Sequence, residues 1–285
     1  MNALHRRSML LGTAGALATS LALADHAAAE PVAAEAYDAG NRKDNENSGA
    51  DSGQYRAPLA AGPGMKWDLD GNAQRFRGNT FVCPVPQDSA FFKAEQQAMA
   101  LMKDSDLAPQ YVCLPHNSLH MTVFDVITQN HVKNKTLPAW LADCTDVSQV
   151  SQRVLARLQA QGSGLTPLGP INMKVKGFRP FEANFTMDLT PADDATRNAL
   201  WRARRELSTL LDVRADNFDT YQFHSTIGYR LVQPIANDYP KMRVLEARLL
   251  KLFTGAASTV TMEHPAFNLF DDMLAFPQLW LMPRA

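Results

Sequence analysis

Apolar and polar positions alternate with a period of two over residues 118–126 and again over 221–229. Alternation of this kind marks a strand with one buried face, and β-branched Thr122 and Val123 suit extended backbone. Residues i and i+2 of a strand share a face. His120 and Thr122 therefore point together, with Leu119, Met121 and Val123 on the opposite side. His224 and Thr226 repeat the arrangement, so two separated strands offer matched groups to one cleft.

Around them the pattern moves between strand and helix periods. Strands are predicted over 78–86 and 111–114. A helix over 88–103, capped by Asp88 or Ser89, turns Phe92, Met99 and Met102 inward. The polar stretch 129–138 reads as loop. A helix over 146–161 carries Val150, Val154, Leu155 and Leu158, and Gly162-Ser163-Gly164 ends it. Residues 171–178 and 184–189 form a hairpin around Arg179-Pro180. Thr190 then caps a helix to Leu211, with Pro191 at its first position. After the second His strand come a helix over 239–253 and strands over 259–269 and 273–282. Helix, strand, strand thus follows each His strand. The class is α+β, with antiparallel sheets and helices on their outer faces.

Arg6-Arg7 precede an apolar run from Met9 to Leu23, and Ala27-Ala28-Ala29 offers a small-residue cleavage site. This is the plan of an export signal of the twin-arginine type over 1–29, which places the mature protein in the periplasm or outside the cell. The run is short for a membrane anchor. Residues 30–65 hold almost no large apolar side chain and read as a flexible tether. The domain that carries both His strands is then 66–285. Asp68, Asp70 and Asn72 alternate beside Gly71 but lack the closing Glu of a calcium loop. The chain has 285 residues and 46% hydrophobic content, enough for a sizeable core. Setting aside Arg6, Arg7 and Asp25 leaves 26 basic and 28 acidic side chains. A duplex nucleic acid would favour a strongly basic face, so a small or short phosphate ligand fits better. Cys83, Cys113 and Cys144 match no metal-knuckle spacing and read as small apolar residues.

Two facing histidines suit displacement at phosphorus. A neutral imidazole takes a proton from water or a hydroxyl, and an imidazolium protonates the leaving oxygen. Each threonine hydroxyl donates to a non-bridging oxygen. No metal or other cofactor is required. A metal hydrolase could use His120 and His224 as ligands, but no paired acidic or histidine motif completes a shell. His116 belongs to a loop, and His131 and His264 read as structural or solvated.

These residues resemble the 2H phosphoesterases, named for two His-x-Thr/Ser motifs, and within them a 2H-phosphodiesterase-like branch of unassigned function. The resemblance runs from about Trp67 to Val232. It rests on the stretches 78–83, 120–124, 189–193 and 223–229. It implies a bilobal fold of two pseudo-symmetric antiparallel-sheet halves around a central cleft. It also implies metal-independent cleavage of 2′,3′-cyclic phosphates or related phosphodiesters, with His120, Thr122, His224 and Thr226 as the catalytic residues. Pro84 departs from the pattern where a histidine is expected, and Gly228 where a larger residue is.

A bound phosphate needs a cationic or donor-rich neighbour. Arg179 at the hairpin turn and Tyr229 after the second motif are the substrate-binding candidates. Strand alternation turns Tyr229 away from His224 unless Gly228 bulges the strand. The expected partner is a small phosphodiester or an oligonucleotide end, with no duplex and, after removal of the leader, no membrane. A monomer is expected. The alternative is an exported phosphate-ester binding protein that keeps the cleft without turnover.

Overall fold

The stretches of period two become strands and those of period 3.6 become helices. The structure is a computed structural model that describes residues 56–181 and 183–285. The expected export signal at 1–29 and residues 30–55 of the expected tether lie outside the described residues. In chain order the elements are β1 (Gly78–Pro84), α1 (Ala90–Lys103), β2 (Tyr111–Cys113), β3 (His120–Thr128), α2 (Gln129–Lys133) and α3 (Val147–Gln161). Then come β4 (Ile171–Phe178), β5 (Phe185–Pro191), α4 (Asp194–Leu211), β6 (His224–Arg230), α5 (Asp238–Leu250), β7 (Thr259–Met262), β8 (Ala266–Phe270) and β9 (Gln278–Leu281).

All strands join one antiparallel sheet in the order β7-β4-β5-β6-β3-β1-β8-β9, with β2 added to β6. The two halves meet at its centre, where β3 and β6 are joined by the single pairing of Met121 with Ser225. The two His strands are thus immediate neighbours. Behind them the apolar face is closed: Leu119, Met121 and Val123 are buried, as are Ser225 and Ile227. α1 packs on β6 and β7, α4 on β3, β4 and β5, and α3 on β1, β3 and β9.

One buried polar contact crosses this rear face. Ser225 Oγ donates to Glu95 Oε1 of α1 at 2.6 Å, while Glu95 Oε2 has no hydrogen-bond partner among the described residues. Burial pushes the Glu95 carboxyl up to about 8, and the Ser225 bond only partly opposes that.

Several boundaries differ from the sequence expectation, each for a local reason. The predicted strand over 259–269 is two strands. His264-Pro265 interrupts it, β7 pairs with β4, and β8 crosses to β1 in the other half. Pro191 ends β5 opposite Met173 instead of opening a helix, and Asp193 caps α4 by accepting from the Thr196 amide at 2.7 Å. The polar stretch after β3 contains α2, whose start is held by His131 Nδ1 accepting from the Thr128 amide at 3.0 Å.

The largest correction concerns 56–65, the end of the expected tether. This segment is strapped onto the end of β6. The amides of Leu59 and Ala60 donate to the carbonyls of Leu231 and Arg230, and Arg56 pairs with buried Asp238. Ala61 and Trp67 are both 1% exposed. Low apolar content hid a segment held mainly through its backbone. Cys83, Cys113 and Cys144 are all free thiols. Among the described residues no helix is long and apolar enough to cross a membrane.

Candidate active site

The sheet positions a cleft through two irregularities of the same kind. On β1, Thr80 and Val82 are two apart and face one side, and their partners on β3 are Asp125 and Thr122. Three residues of β3 therefore span two of β1, a bulge that puts Asp125 on the face of His120 and Thr122. On β6, Gly228 and Thr226 lie opposite the adjacent residues Phe185 and Thr186 of β5. This second bulge brings Tyr229 onto the face of His224 and Thr226. The two halves thus present His-x-Thr-x-x-Asp and His-x-Thr-x-x-Tyr. Gly228 is required here, since a Cβ would sit 2.6 Å from the Val112 carbonyl oxygen of β2.

A cavity of about 280 Å³ is lined by all six of these side chains. Lys66, Tyr221, Phe270, Met273 and Phe276 are among its other walls. Each histidine is held in the same way. His120 Nδ1 lies 2.6 Å from the Ser118 carbonyl oxygen, and His224 Nδ1 lies 2.9 Å from that of Gln222. A carbonyl only accepts, so Nδ1 carries the proton in each bond and the neutral ring keeps its lone pair on Nε2. The Phe276 ring packs at a tilt of 55° against His120, with ring centres 4.2 Å apart. The Tyr221 ring centre lies 6.1 Å from that of His224, and its hydroxyl donates to the Thr122 carbonyl at 3.3 Å. Thr226 Oγ1 is 3.4 Å from Thr186 Oγ1.

The protein packed around His120 pushes its pKa down to about 4, and the neighbouring His224 and Lys66 act in the same sense. His224 is also lowered, first by burial and then by Arg179, while its Gln222 bond, Asp125 and Asp188 oppose. Asp125 is raised by the surrounding protein, against the pull of His224, Arg204, Lys66 and His131. Its side chain remains open to solvent, so water in the cleft limits that rise.

A family model described as 2H-phosphodiest, a domain of unknown function (DUF1868), matches residues 66–184. Over this segment the chain is similar to the 2H-phosphodiesterase-like family. The match takes in Lys66, His120, Thr122 and Asp125, and the second motif follows beyond it. The solved structure of a conserved protein of unknown function, ATU0111 of Agrobacterium tumefaciens, is 28% identical with a TM-score of 0.68, covering 76% of this chain and 90% of that one. Escherichia coli LigT complexed with 3′-AMP is 9% identical with a TM-score of 0.42, covering 73% of this chain and 98% of that one. LigT complexed with phosphate is 8% identical with a TM-score of 0.38, covering 74% and 100%. No curated protein matches.

Of the residues expected at the site, His120, Thr122, His224, Thr226 and Tyr229 share the cleft, the last through its bulge. Arg179 does not line it. Its Nε donates to Asp188 Oδ1 at 2.6 Å and its Nη2 to the Gln222 carbonyl at 3.1 Å; Nη2 also lies 3.1 Å from His224 Nδ1, which gives its proton to that same carbonyl. It stands behind His224 because Asp188, the strand partner of His224, holds it there. The cation in the cleft is Lys66, whose Nζ donates to Tyr229 Oη at 3.2 Å and lies 5.0 Å from that ring's centre. Sequence reasoning missed Lys66 and Asp125. The shared spacing from each histidine to Asp125 and Tyr229 was the available signal for the second. Pro84 pairs with His120 at the end of β1.

Proposed function

We propose that the protein is a phosphodiesterase that opens 2′,3′-cyclic phosphates or related small phosphodiesters by acid–base catalysis between His120 and His224. One observation carries this reading: two His-x-Thr pairs stand on adjacent strands of one cleft, each with Nδ1 tied to the carbonyl two residues earlier. That bond fixes the ring and leaves Nε2 for proton transfer. In this reading the Thr122 and Thr226 hydroxyls donate to non-bridging oxygens, and Lys66 supplies positive charge. Both histidines lean towards the neutral form in the empty cleft. A bound phosphate anion favours their protonated forms, so the imidazolium needed as acid arises with substrate in place. No metal or other cofactor enters the proposed chemistry. A cavity of about 280 Å³ suits a small diester or an oligonucleotide end taken by a monomer. The leader at 1–29 supports action in the periplasm or outside the cell.

The test is to profile the mature protein against cyclic nucleotides, oligonucleotide ends and simple diesters, with product position assigned by phosphorus NMR. His120→Ala and His224→Ala should each lose about a hundred- to ten-thousand-fold in turnover, the usual size of general acid–base catalysis. Excess chelator should change nothing. Binding of phosphate esters with no turnover across the panel would refute this reading in favour of an exported binding protein.

A further inference from the structure

The cleft carries opposite charges at its two ends. With Met121 opposite Ser225, the antiparallel register sets Thr122 beside His224 and His120 beside Thr226. Beyond His224 the cleft-facing row of β3 continues to Asp125, and beyond His120 the row of β6 continues to Tyr229, which holds Lys66. The order along the cleft is therefore Lys66 with Tyr229, His120 with Thr226, His224 with Thr122, then Asp125. We propose that these end groups divide the work of the two histidines: His224, next to the carboxylate, is the general acid, and His120, next to the ammonium, is the general base. The inference rests on the acid–base reading of this site and names a third pair of residues that set it.

The charges around the two rings differ. On His224 the strongest charge is Arg179 at the end of β4, which lowers it, opposed by Asp125 of β3 and Asp188 of β5. Arg179 is itself ion-paired to Asp188, so its charge is countered at close range. The charged groups acting on His120 are Lys66 and His224, with no carboxylate among them. Behind Asp125 lies Arg204 of α4, anchored to the Val123 and Phe218 carbonyls, and with His131 and Lys66 it favours the ionised carboxylate. In the forward step water gives a proton to Nε2 of His120 as its oxygen bonds to phosphorus. The bond from phosphorus to the leaving oxygen breaks, and that oxygen takes the proton from Nε2 of His224. The products are a phosphomonoester and an alcohol, held in one molecule when the substrate is cyclic. Proton exchange with solvent then returns the proton from His120 to His224.

The deciding measurement is an NMR titration of the two imidazoles in the mature protein. His224 should titrate at higher pH than His120. Asp125→Asn should lower the His224 midpoint by about one pH unit and leave His120 in place, and Lys66→Gln should raise the midpoint of His120. A reversed order, or an Asp125→Asn change felt at His120 and not at His224, would overturn the proposal. Neither outcome depends on turnover. Kinetics supply the second arm. Asp125→Asn should lower kcat with KM held and move the high-pH limb of activity to lower pH, because the acid then loses its proton sooner. A nitrophenyl diester, whose leaving group needs little protonation, should rescue Asp125→Asn and His224→Ala but not His120→Ala. Rescue of His120→Ala alone would also overturn the division. A wild-type protein that cleaves no diester while the titration order holds would refute the proposed function and leave the charge asymmetry standing.

Discussion

Glu95 lies under the Met121–Ser225 pairing that joins the two halves of the sheet, and among the described residues its carboxyl has one hydrogen-bond partner for two oxygens. Burial raises it from an ordinary 4.5 to about 8. The folded protein therefore keeps this proton at pH values where the unfolded chain has lost it. Unfolding releases a proton, so stability falls as pH rises above about 4.5, and the fall continues to about 8 before levelling. At about 1.4 kcal/mol per pH unit, wild type at pH 7.5 should have given up about 4 kcal/mol relative to its acid limit. Glu95→Gln keeps the shape and cannot ionise, so it should remove this dependence. The assay is thermal unfolding of wild type and E95Q side by side from pH 5 to pH 8, which cancels every other titrating group. The variant should gain on wild type steadily with pH, by on the order of ten degrees in melting temperature at pH 7.5 for a domain of this size. A difference between the two proteins that stays flat across this range would refute the reasoning. It would mean that Glu95 either ionises freely in the fold or opens to water.

Thr122→Val and Thr226→Val keep side-chain shape and remove a donor, so each should cost roughly ten- to a thousand-fold in kcat on a cyclic phosphate, measured at saturating substrate. Arg179→Ala should leave KM unchanged, since Arg179 does not line the cavity. It should shift the high-pH limb of activity upward, because a cation is removed beside His224 and Asp188 is released. Gly228→Ala forces a Cβ against the Val112 carbonyl and should cost about 1–3 kcal/mol by chemical denaturation. Gly169→Ala, with nothing within 4 Å, should not destabilise. Exported protein should begin near Glu30, as N-terminal sequencing would show; retention of 1–29 in a membrane fraction would indicate an anchor.

The sequence by itself determined that His120 shares a face with Thr122, and His224 with Thr226. That follows from the two-residue repeat of a strand, a property of the local backbone that no partner has to supply. It likewise determined most helices, through their caps and apolar stripes, and the antiparallel α+β class. Tertiary structure alone decided the rest of the candidate site. Asp125 and Tyr229 reach the cleft because β3 and β6 bulge against β1 and β5, and a bulge is defined only by the strand it pairs with. Arg179 turns behind His224 because Asp188 is there to bind it. Lys66 directly follows the segment whose composition suggested a tether, and that segment is held because the amides of Leu59 and Ala60 bond to the carbonyls of Leu231 and Arg230. Backbone hydrogen bonds of that kind are open to any side chain, so composition carries no record of them. The split at Pro265 is visible as a proline, but the crossing of β8 to β1 is not. Strand order is chosen by which apolar faces can be buried together, and that depends on the whole chain at once.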